Sequence, residues 1–265
     1  LTTNGGENWA DVTPPSLTSW SKVSMMEASH TDANTCYAAV NRIRLDDMKP
    51  HIYKTTNAGK TWTEITNGLP QQPINSIKED ILKKGLLFCG SETNVSVSFD
   101  DGANWQSLRL NMPCSSIRDL VVKDNDLAVA THGRSFWVLD DINILRNLNT
   151  KEPTSTTLFP PSPSVRVRWN MNTDTPLPPD EPVGKNPPDG AVIDYYLKSS
   201  VNNLKLNIKD ASGNLVRSYS NNDSMQKIPP VNIPDYWIRP QVVLNANAGA
   251  HRFLWDMHYT PVPLP

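Results

Sequence analysis

The stretch Thr55-Thr56-Asn57-Ala58-Gly59-Lys60-Thr61-Trp62 carries the most information about the architecture, because the chain contains the same eight-residue pattern three times. The first copy is Thr2–Trp9 and the third is Ser98–Trp105; we call the three segments the first, second and third cassette. Each reads Ser or Thr, any residue, Asp or Asn, any residue, Gly, any residue, Thr or Asn, Trp. The tryptophans are 53 and then 43 residues apart, so the chain is built from repeats.

The cassette pattern predicts a self-sufficient turn. An Asx side chain accepts hydrogen bonds from the backbone a few residues on, and glycine supplies a positive φ without strain. The Trp begins the next strand and can bury its ring beneath the turn. We therefore assign structural roles to nine positions: Asn4, Gly6, Trp9, Asn57, Gly59, Trp62, Asp100, Gly102 and Trp105.

Repeats of about 40–50 residues that end in a fixed turn are typical of β-propeller blades. Around the third cassette, turn residues bound four predicted strands, at 75–79, 86–91, 95–100 and 105–110. The preceding repeat predicts strands at 36–41, 51–56 and 62–65, and a further one predicts strands at 118–123, 127–131 and 135–140. We expect an all-β protein that begins with part of a propeller.

The cassette resembles the Asp-box, or BNR repeat, of sialidases, sortilin-type receptors and several glycoside hydrolase families. In those relatives it joins the third and fourth strands of a blade and is not catalytic. Two full blades and parts of two more do not close a ring. An open arc exposes sheet edges and an apolar flank, so we expect the remainder of the polypeptide, or a companion chain, to complete the propeller.

The composition excludes several partners. The formal charge is −2 with no basic run, which argues against nucleic acid, and no apolar stretch is long enough for membrane insertion. Cys36 and Cys89 fall in strand-like runs and are expected to be buried free thiols. The 23 prolines and 8 tryptophans suit an exported protein, so we expect an extracellular, periplasmic or cell-surface location. A bacterial source is what the resemblance to bacterial proteins described below implies.

The chain changes character after residue 148. Residues 149–190 contain ten prolines in 42 positions and are predicted to be an extended connector, with a short strand at 165–169. Strands are predicted again at 191–197, 204–209, 215–219 and 251–257. These segments resemble an immunoglobulin-like β-sandwich module. We therefore expect propeller blades over 1–148, the connector over 149–190, and such a module, incomplete, over 191–265.

Candidate binding residues lie on the rim opposite the cassettes. Connections in a four-stranded meander alternate between two rims, so the turns from second to third strand lie away from the cassettes. Propellers that resemble this one bind ligands on that rim. The residues it would contribute here are Arg42, Arg44, Asp46, Asp47, Glu92, His132 and Arg134. Arginines beside carboxylates suit a glycan or an acidic ligand, and equally a solvated charged loop.

The segment Ala130-Thr131-His132-Gly133-Arg134 precedes an aromatic strand and Asp140-Asp141. It resembles the final-blade signature of bacterial proteins described as glycosyl-hydrolase-like or sortilin-like. The resemblance covers roughly residues 1–150 and implies no particular activity.

No catalytic residue is assigned. A glycosidase needs two carboxyl groups at a defined separation, one with a raised pKa. The acidic pairs available, Asp46-Asp47, Glu79-Asp80, Asp100-Asp101 and Asp140-Asp141, are sequence neighbours, which point to opposite faces of a strand. The five histidines lack metal-ligand spacing, so neither a metal nor a cofactor is predicted.

Three hypotheses for the function stay open. The first is a module that binds glycan or protein on the rim opposite the cassettes. The second is a glycoside hydrolase, sialidase-like or xyloglucanase-like, whose catalytic carboxylates lie mainly outside this chain. The third is a scaffold without catalysis.

Overall fold

Each of the three cassettes folds into the same hydrogen-bonded turn. In the second, Thr55 Oγ1 accepts from the amide of Gly59 at 2.9 Å, and Asn57 Oδ1 accepts from the amide of Thr61 at 2.9 Å. The third cassette repeats both bonds with Ser98 and Asp100, and the first repeats them with Thr2 and Asn4. The glycines at the fifth position have φ of 97°, 81° and 88°. The predicted turn chemistry is therefore present in all three.

The computed structural model describes residues 1–149, 152–166, 180, 184, 187, 190–225, 232 and 241–260. The chain divides into two compact units, Leu1–Glu152 and Pro153–Pro265. The first holds eleven strands: β1 (Lys22–Ala28), β2 (Cys36–Asn41), β3 (His51–Thr55), β4 (Thr63–Glu64), β5 (Ile74–Glu79), β6 (Leu87–Ser91), β7 (Val95–Ser98), β8 (Gln106–Ser107), β9 (Ile117–Lys123), β10 (Asp126–Thr131) and β11 (Phe136–Leu139).

These strands form three antiparallel meanders, ordered β1-β2-β3-β4, β5-β6-β7-β8 and β11-β10-β9. The second cassette joins β3 to β4 and the third joins β7 to β8, as predicted. The first strands β1, β5 and β9 lie in succession, each in contact with the next. Consecutive meanders stacked in this way are the arrangement of propeller blades. The molecule is all-β, and its first unit is a partial propeller.

Two apolar cores lie between the three sheets. The core between the first and second sheets includes Tyr37, Ile52, Ile77 and Trp105. The core between the second and third sheets includes Phe88, Val97, Leu120 and Leu127, with others. Successive side chains of β6 point to opposite faces of the sheet. Leu87 and Cys89 therefore belong to the core shared with the first sheet, and Phe88 belongs to the core shared with the third. The middle sheet is therefore buried on both faces.

The second unit contains β12 (Thr157–Leu158), β13 (Ala191–Leu197), β14 (Lys205–Lys209), β15 (Leu215–Ser220) and β16 (Gly249–Trp255). The first two of these strands and β16 form one sheet in the order β12-β13-β16, and β14 pairs with β15 as a hairpin. A core that includes Ile193, Leu197 and Phe253 contacts Leu206 and Tyr219 of the hairpin.

The structure corrects several sequence predictions. Strand β1 was not predicted, because a register irregularity between Val23 and Met25 interrupts its alternation. A five-residue helix, α1 (Asn143–Asn147), follows β11 where no element was predicted. The fourth strands are only two residues long, because Trp62 and Trp105 belong to the turns that precede them.

The strand expected over 165–169 is not seen in the part of that segment that the structure describes. Val165 and Arg166 lie outside any strand, and residues 167–169 lie outside the described residues. The prediction of buried free thiols holds for Cys89, which is buried, while Cys36 is half-buried. Cys114 is exposed.

Candidate ligand-binding rim

Three loops lie at the end of the sheets opposite the second and third cassettes: residues 42–50 between β2 and β3, 92–94 between β6 and β7, and 132–135 between β10 and β11. We call this end the loop rim. It holds all seven predicted binding residues, one loop to a blade.

The first loop is built around an ion-paired arginine. Arg42 Nη1 lies 3.2 Å from Asp47 Oδ2, and its Nη2 donates to Thr18 Oγ1 at 3.0 Å. The loop runs through a short 3-10 helix, Ile43–Leu45, and Asp46 closes it in the left-handed region with φ of 58°. Asx residues tolerate that conformation better than most side chains do. Asp47 then accepts from the amide of Lys49 at 3.0 Å, which turns the chain into β3.

His51, at the start of β3, anchors this loop from below. Its Nε2 lies 3.0 Å from Asp47 Oδ2, and its Nδ1 lies 2.7 Å from Glu64 Oε1. The amide of Lys49, then His51 and Arg42, lower the pKa of Asp47, although partial burial opposes them. Asp47 is therefore a charged structural anchor as well as a rim residue.

Glu92, in the second loop, is held by three neighbours. Asn75 Nδ2 donates to Glu92 Oε1 at 2.9 Å and Ser116 Oγ donates to Oε2 at 2.6 Å. Arg118 Nη1 lies 3.6 Å from Oε1. Burial acts to raise the pKa of Glu92, but these hydrogen bonds, with the positive charges of Arg118 and His132, lower it. The carboxylate is thus kept ionised.

A buried amide pair links the first blade to the second. Asn41 Nδ2 donates to Asn75 Oδ1 at 2.7 Å, and Asn75 Nδ2 also donates to the Ile117 carbonyl at 3.1 Å. Both amide side chains belong to buried residues. Since Asn75 also holds Glu92, one asparagine of β5 connects all three blades at the loop rim.

The third loop is placed by backbone contacts. The His132 amide donates to the Ser116 carbonyl at 2.8 Å, and the Arg134 amide donates to Thr131 Oγ1 at 3.1 Å. Gly133, between them, has φ of 88°, which lets the turn close. Both His132 and Arg134 are exposed.

Four of the predicted residues therefore lie in two contact groups, and the other three make no such contact within the described part of the chain. Arg42 joins Asp47, and Glu92 joins the neighbourhood of His132. Arg44, Asp46 and Arg134 are exposed, and no hydrogen bond or ion pair of their side chains is recorded among the described residues. Sequence reasoning missed the polar side chains that position these residues: Thr18, Asn41, His51, Glu64, Asn75, Ser116 and Arg118.

Among these missed residues, one pair could have been anticipated from the sequence. Asn41 ends the apolar strand β2, and Asn75 lies near the start of β5, whose sequence is mixed; an unpaired amide would be costly to bury in either strand. A buried Asn at two successive blades is a reason to expect a bond between them. The partners of Glu92 gave no comparable signal, because they lie 17 to 26 positions away in the sequence.

The acidic residues at the cassette end have structural partners. Asp80 is fully buried, and its Oδ2 accepts a hydrogen bond from Arg146 Nη2 at 2.9 Å. Glu79 Oε2 accepts from the His30 amide at 2.8 Å, and Asp101 accepts from the Tyr37 hydroxyl at 2.6 Å. Asp100 is engaged in its cassette.

Within the described part of the chain, no group of three or more His, Cys, Asp and Glu side chains is placed to hold a metal ion. No helix of the described residues has the length and apolar character needed to cross a membrane.

Comparison with known proteins gives likeness at the level of structure only. A scan against protein-family models finds no match, and a search of curated proteins finds none either. Among solved structures, the chain is similar to a GH74 enzyme of Niastella koreensis, with 19% identity, 45% of this chain and 21% of that chain covered, and a TM-score of 0.37.

Two further solved structures are similar to the chain. One is YCF48 bound to a D1 peptide, with 16% identity, 45% of this chain and 37% of that chain covered, and a TM-score of 0.32. The other is a GH74 xyloglucanase from Xanthomonas campestris, with 13% identity, 66% and 35% coverage, and a TM-score of 0.35. The chain spans between 21% and 37% of the length of these three proteins.

Proposed function

We propose that the loop rim binds an acidic ligand, a glycan or a protein segment that carries carboxylate or similar anionic groups. One observation carries the proposal: two of the three acidic side chains of the rim loops, Asp47 and Glu92, are already paired, and several basic side chains are not. Asp47 is matched by Arg42 and His51, and Glu92 by Arg118.

The unpaired cations leave the rim with a positive excess. Arg44, Lys49 and Arg134 are exposed, with no salt bridge recorded among the described residues, and His132 adds a titratable group. Asp46 is the exposed carboxylate that opposes them. Guanidinium groups hold carboxylates through two parallel hydrogen bonds, so Arg44 and Arg134 are suited to an anionic ligand.

The buried amide network supports the proposal because it joins the three blades where they carry the loops. Asn75 contacts Asn41, Glu92 and the backbone of Ile117, so one residue links all three blades at the loop rim. A rigid frame lowers the entropy that a ligand must overcome on binding.

The test is a binding screen against glycans and peptides, each in neutral and acidic forms. Binding to acidic members is expected to fall roughly tenfold or more when Arg44 and Arg134 are both replaced by Ala, since each charge-assisted bond contributes about 1.5–3 kcal/mol. The matched control is Lys123→Ala, which removes an exposed cation at the turn from β9 to β10, on the opposite end of the blade.

Four outcomes decide between the hypotheses. Loss of binding in the double variant, with the control unchanged, supports the loop rim. Equal binding by the double variant and the intact chain contradicts it. Release of reducing sugar from a bound glycan would replace the binding proposal with hydrolysis, and the absence of any ligand in both screens would favour a scaffold.

We also infer that residues 191–265 belong to an immunoglobulin-like module of an exported bacterial protein. The inference is supported by the sheet β12-β13-β16 and the hairpin β14-β15, which contribute to one shared core. Fractionation of the producing cells, with an antibody raised against the chain, tests the location. Retention in the cytoplasm would contradict it.

A further inference from the structure

A cavity of about 350 Å³ lies between the second and third cassettes, at the end of the sheets opposite the loop rim. We call it the inter-cassette cavity. Its volume falls within the range of small-molecule sites, about 300–1,000 Å³. The polar residues that line it are Lys54, Thr56, Thr61, Thr63, Asp100 and Asp101. The first four come from the first sheet and its cassette, and the last two come from the third cassette.

One wall of this cavity is polar where the repeat allows apolar residues. Tyr37 pairs with Lys54 across β2 and β3, and Lys54 immediately precedes its cassette. The equivalent pair in the second sheet is Phe88 with Val97, and Val97 immediately precedes the third cassette. Both Phe88 and Val97 are buried in an apolar core. The architecture of a blade therefore does not require a phenol and an ammonium group at these two positions.

Asp101, on the opposite wall, is not required by the repeat either. It occupies the fourth position of its cassette, where the first two cassettes have Gly5 and Ala58. The backbone is left-handed at all three positions, with φ of 69°, 57° and 61° in chain order. The same turn thus forms with three different residues. The carboxylate of Asp101 is an addition that belongs to this junction between blades.

The carboxylate of Asp101 bridges the two blades and still has hydrogen-bonding capacity. Tyr37 Oη donates to Asp101 Oδ1 at 2.6 Å, and Lys54 Nζ donates to Asp101 Oδ2. A carboxylate offers about four acceptor positions and an ammonium group three donors. The bonds recorded among the described residues use two of the former and one of the latter. Because the Asp101 side chain is 34% exposed and that of Lys54 18%, both can also reach a molecule in the cavity.

Three threonine hydroxyls add groups that both donate and accept. Thr56 and Thr63 are exposed, and no hydrogen bond of either hydroxyl is recorded among the described residues. Thr61 Oγ1 accepts from Asn57 Nδ2 at 2.8 Å, which leaves the proton of this hydroxyl available. A hydroxyl group can donate one hydrogen bond and accept two. The cavity wall therefore matches a ligand whose own groups also do both.

The charges of the cavity restrict the ligand further. Two carboxylates face one ammonium group, so an anionic ligand is disfavoured here, unlike at the loop rim. The oxygens of Asp100 accept from Ser98 and Asn104 within the cassette, so its role is structural. The Lys54–Asp101 pair places a donor beside an acceptor. Neighbouring hydroxyls on one ligand match this arrangement, because one can donate to Asp101 while the next accepts from Lys54.

We propose that the inter-cassette cavity is a second binding site, which takes a neutral, hydroxyl-rich ligand of the size of one or two sugar residues. Lys54 and Asp101 bind adjacent hydroxyls, and Thr56, Thr61 and Thr63 bind others. Ile65, which also lines the cavity, contacts the C–H surface of the ring. This site is separate from the loop rim, because it lies at the other end of the blades and selects against negative charge.

The test is a titration of the intact 265-residue chain, labelled with nitrogen-15, observed by NMR. The probes are methyl glucoside, methyl galactoside, methyl xyloside and cellobiose, with glucuronate and glucosamine as charged counterparts. The neutral sugars are expected to shift the backbone amide signals of Thr56, Thr63 and Asp101. Glucuronate should bind more weakly than methyl glucoside, since the cavity carries a negative excess.

Variants that remove the hydroxyls without disturbing the turn test the assignment. The second cassette position holds Thr3 and Phe99 in the other copies, so Thr56→Val should be tolerated, and valine suits a strand at position 63. The double variant Thr56→Val with Thr63→Val is expected to weaken sugar binding roughly tenfold, because two hydrogen bonds are lost. The matched control is Thr13→Val, since Thr13 is exposed and does not line the cavity.

A variant on the opposite wall gives an independent measurement. Asp101→Asn keeps an acceptor for the Tyr37 hydroxyl but removes the charge that pairs with Lys54. It is expected to weaken sugar binding, and its circular dichroism spectrum should match that of the unchanged chain.

Several results would overturn the proposal. These are the absence of shifts at the cavity amides with every neutral sugar, binding that the double threonine variant and Asp101→Asn both leave unchanged, and glucosamine binding more tightly than methyl glucoside. Replacement of Arg44 and Arg134 by Ala should leave neutral-sugar binding intact. Its loss in that variant would place the sugar at the loop rim and would also contradict the second site.

Discussion

Asn75 donates a 2.9 Å hydrogen bond to the Glu92 carboxylate from the same amide whose oxygen accepts from Asn41. One side chain on β5 thereby positions the loop of its own blade and joins the blade before it. Its nitrogen also donates to the Ile117 carbonyl in the blade after it. The loop rim is organised by a buried amide that contributes no charge of its own.

Replacement of Asn75 by Ala is expected to destabilise the first unit by about 1–3 kcal/mol, since it leaves the buried Asn41 amide without its partner. Chemical denaturation of Asn41→Ala, Asn75→Ala and the double variant measures the coupling between the two. The two single costs should not add, because both variants break one bond. Simple additivity would show that the pair does not join the blades.

Acid should remove the contribution of Glu92 to stability. Its hydrogen bonds from Ser116 and Asn75 and the nearby positive charges lower its pKa in the folded protein, despite burial. A carboxylate with a lowered folded pKa stabilises above its unfolded value of about 4.3, and the contribution is lost as the pH falls through the folded pKa.

The comparison of Glu92→Gln with the unchanged chain tests this. The variant is expected to be less stable at neutral pH, and the difference in unfolding free energy should shrink once the pH drops below about 4. A difference that stays constant across the acid range would mean that hydrogen bonding alone, and not the charge of Glu92, supports the rim.

The Asp80–Arg146 ion pair should be expensive to break. Asp80 is fully buried, and both oxygens accept from Arg146, which ties helix α1 to the second sheet. Arg146→Met leaves a buried charge unpaired and is expected to cost about 3–5 kcal/mol. The control, Lys123→Met, breaks an exposed pair with Asp124 and should cost less than about 1 kcal/mol. Equal urea midpoints for the two variants would contradict this assignment.

The cassette glycines offer a matched test of the contact between the third cassette and the segment that follows the second cassette. Gly6 and Gly102 both have positive φ, but only Gly102 lies against a neighbouring segment, at Ile65. Gly102→Ala should therefore destabilise the fold by roughly 1–3 kcal/mol more than Gly6→Ala does, because the strain at φ is common to both. Thermal denaturation of the two variants measures the difference. Equal losses would show that the backbone conformation alone selects glycine.

Thiol reactivity should separate the three cysteines. Cys114 is exposed, Cys36 is half-buried and Cys89 is buried. Burial raises the pKa of the Cys89 thiol, and also that of Cys36, so neither readily forms the reactive thiolate. One thiol per native chain is expected to react rapidly with a disulfide reagent, and three after denaturation. Cys114→Ser should abolish the rapid phase, and a rapid phase that persists would place another thiol at the surface.

Much of the fold was predictable because its information is local. The cassettes carry their own hydrogen-bond acceptors and glycines within eight residues, and each occurs where the pattern placed it. Strands such as β2 and β13 have the predicted bounds, since apolar runs between turn residues specify them. Strand β1 was missed because the irregularity beside Met25 becomes visible only in its pairing with β2.

The sequence predicted on which rim the candidate site lies, but not which side chains hold its residues in place. Alternation of connections in a meander placed Arg42, Glu92 and His132 on one rim. The amides and hydroxyls that hold them, Asn75 and Ser116 among them, come from other blades and have no local signature.

The repeat, the turns and the rim to which each loop belongs can be inferred from the amino-acid sequence, because those features depend on neighbours a few residues apart. Which acids are neutralised and which cations stay exposed depends on the tertiary structure, since partners such as Asp80 and Arg146 are brought together by packing across 66 positions. The tertiary structure also decides that Trp105 is buried and Trp9 is not. The indole N–H of Trp105 reaches the carbonyl of Ile65, 40 positions away, a contact that the cassette pattern itself does not specify.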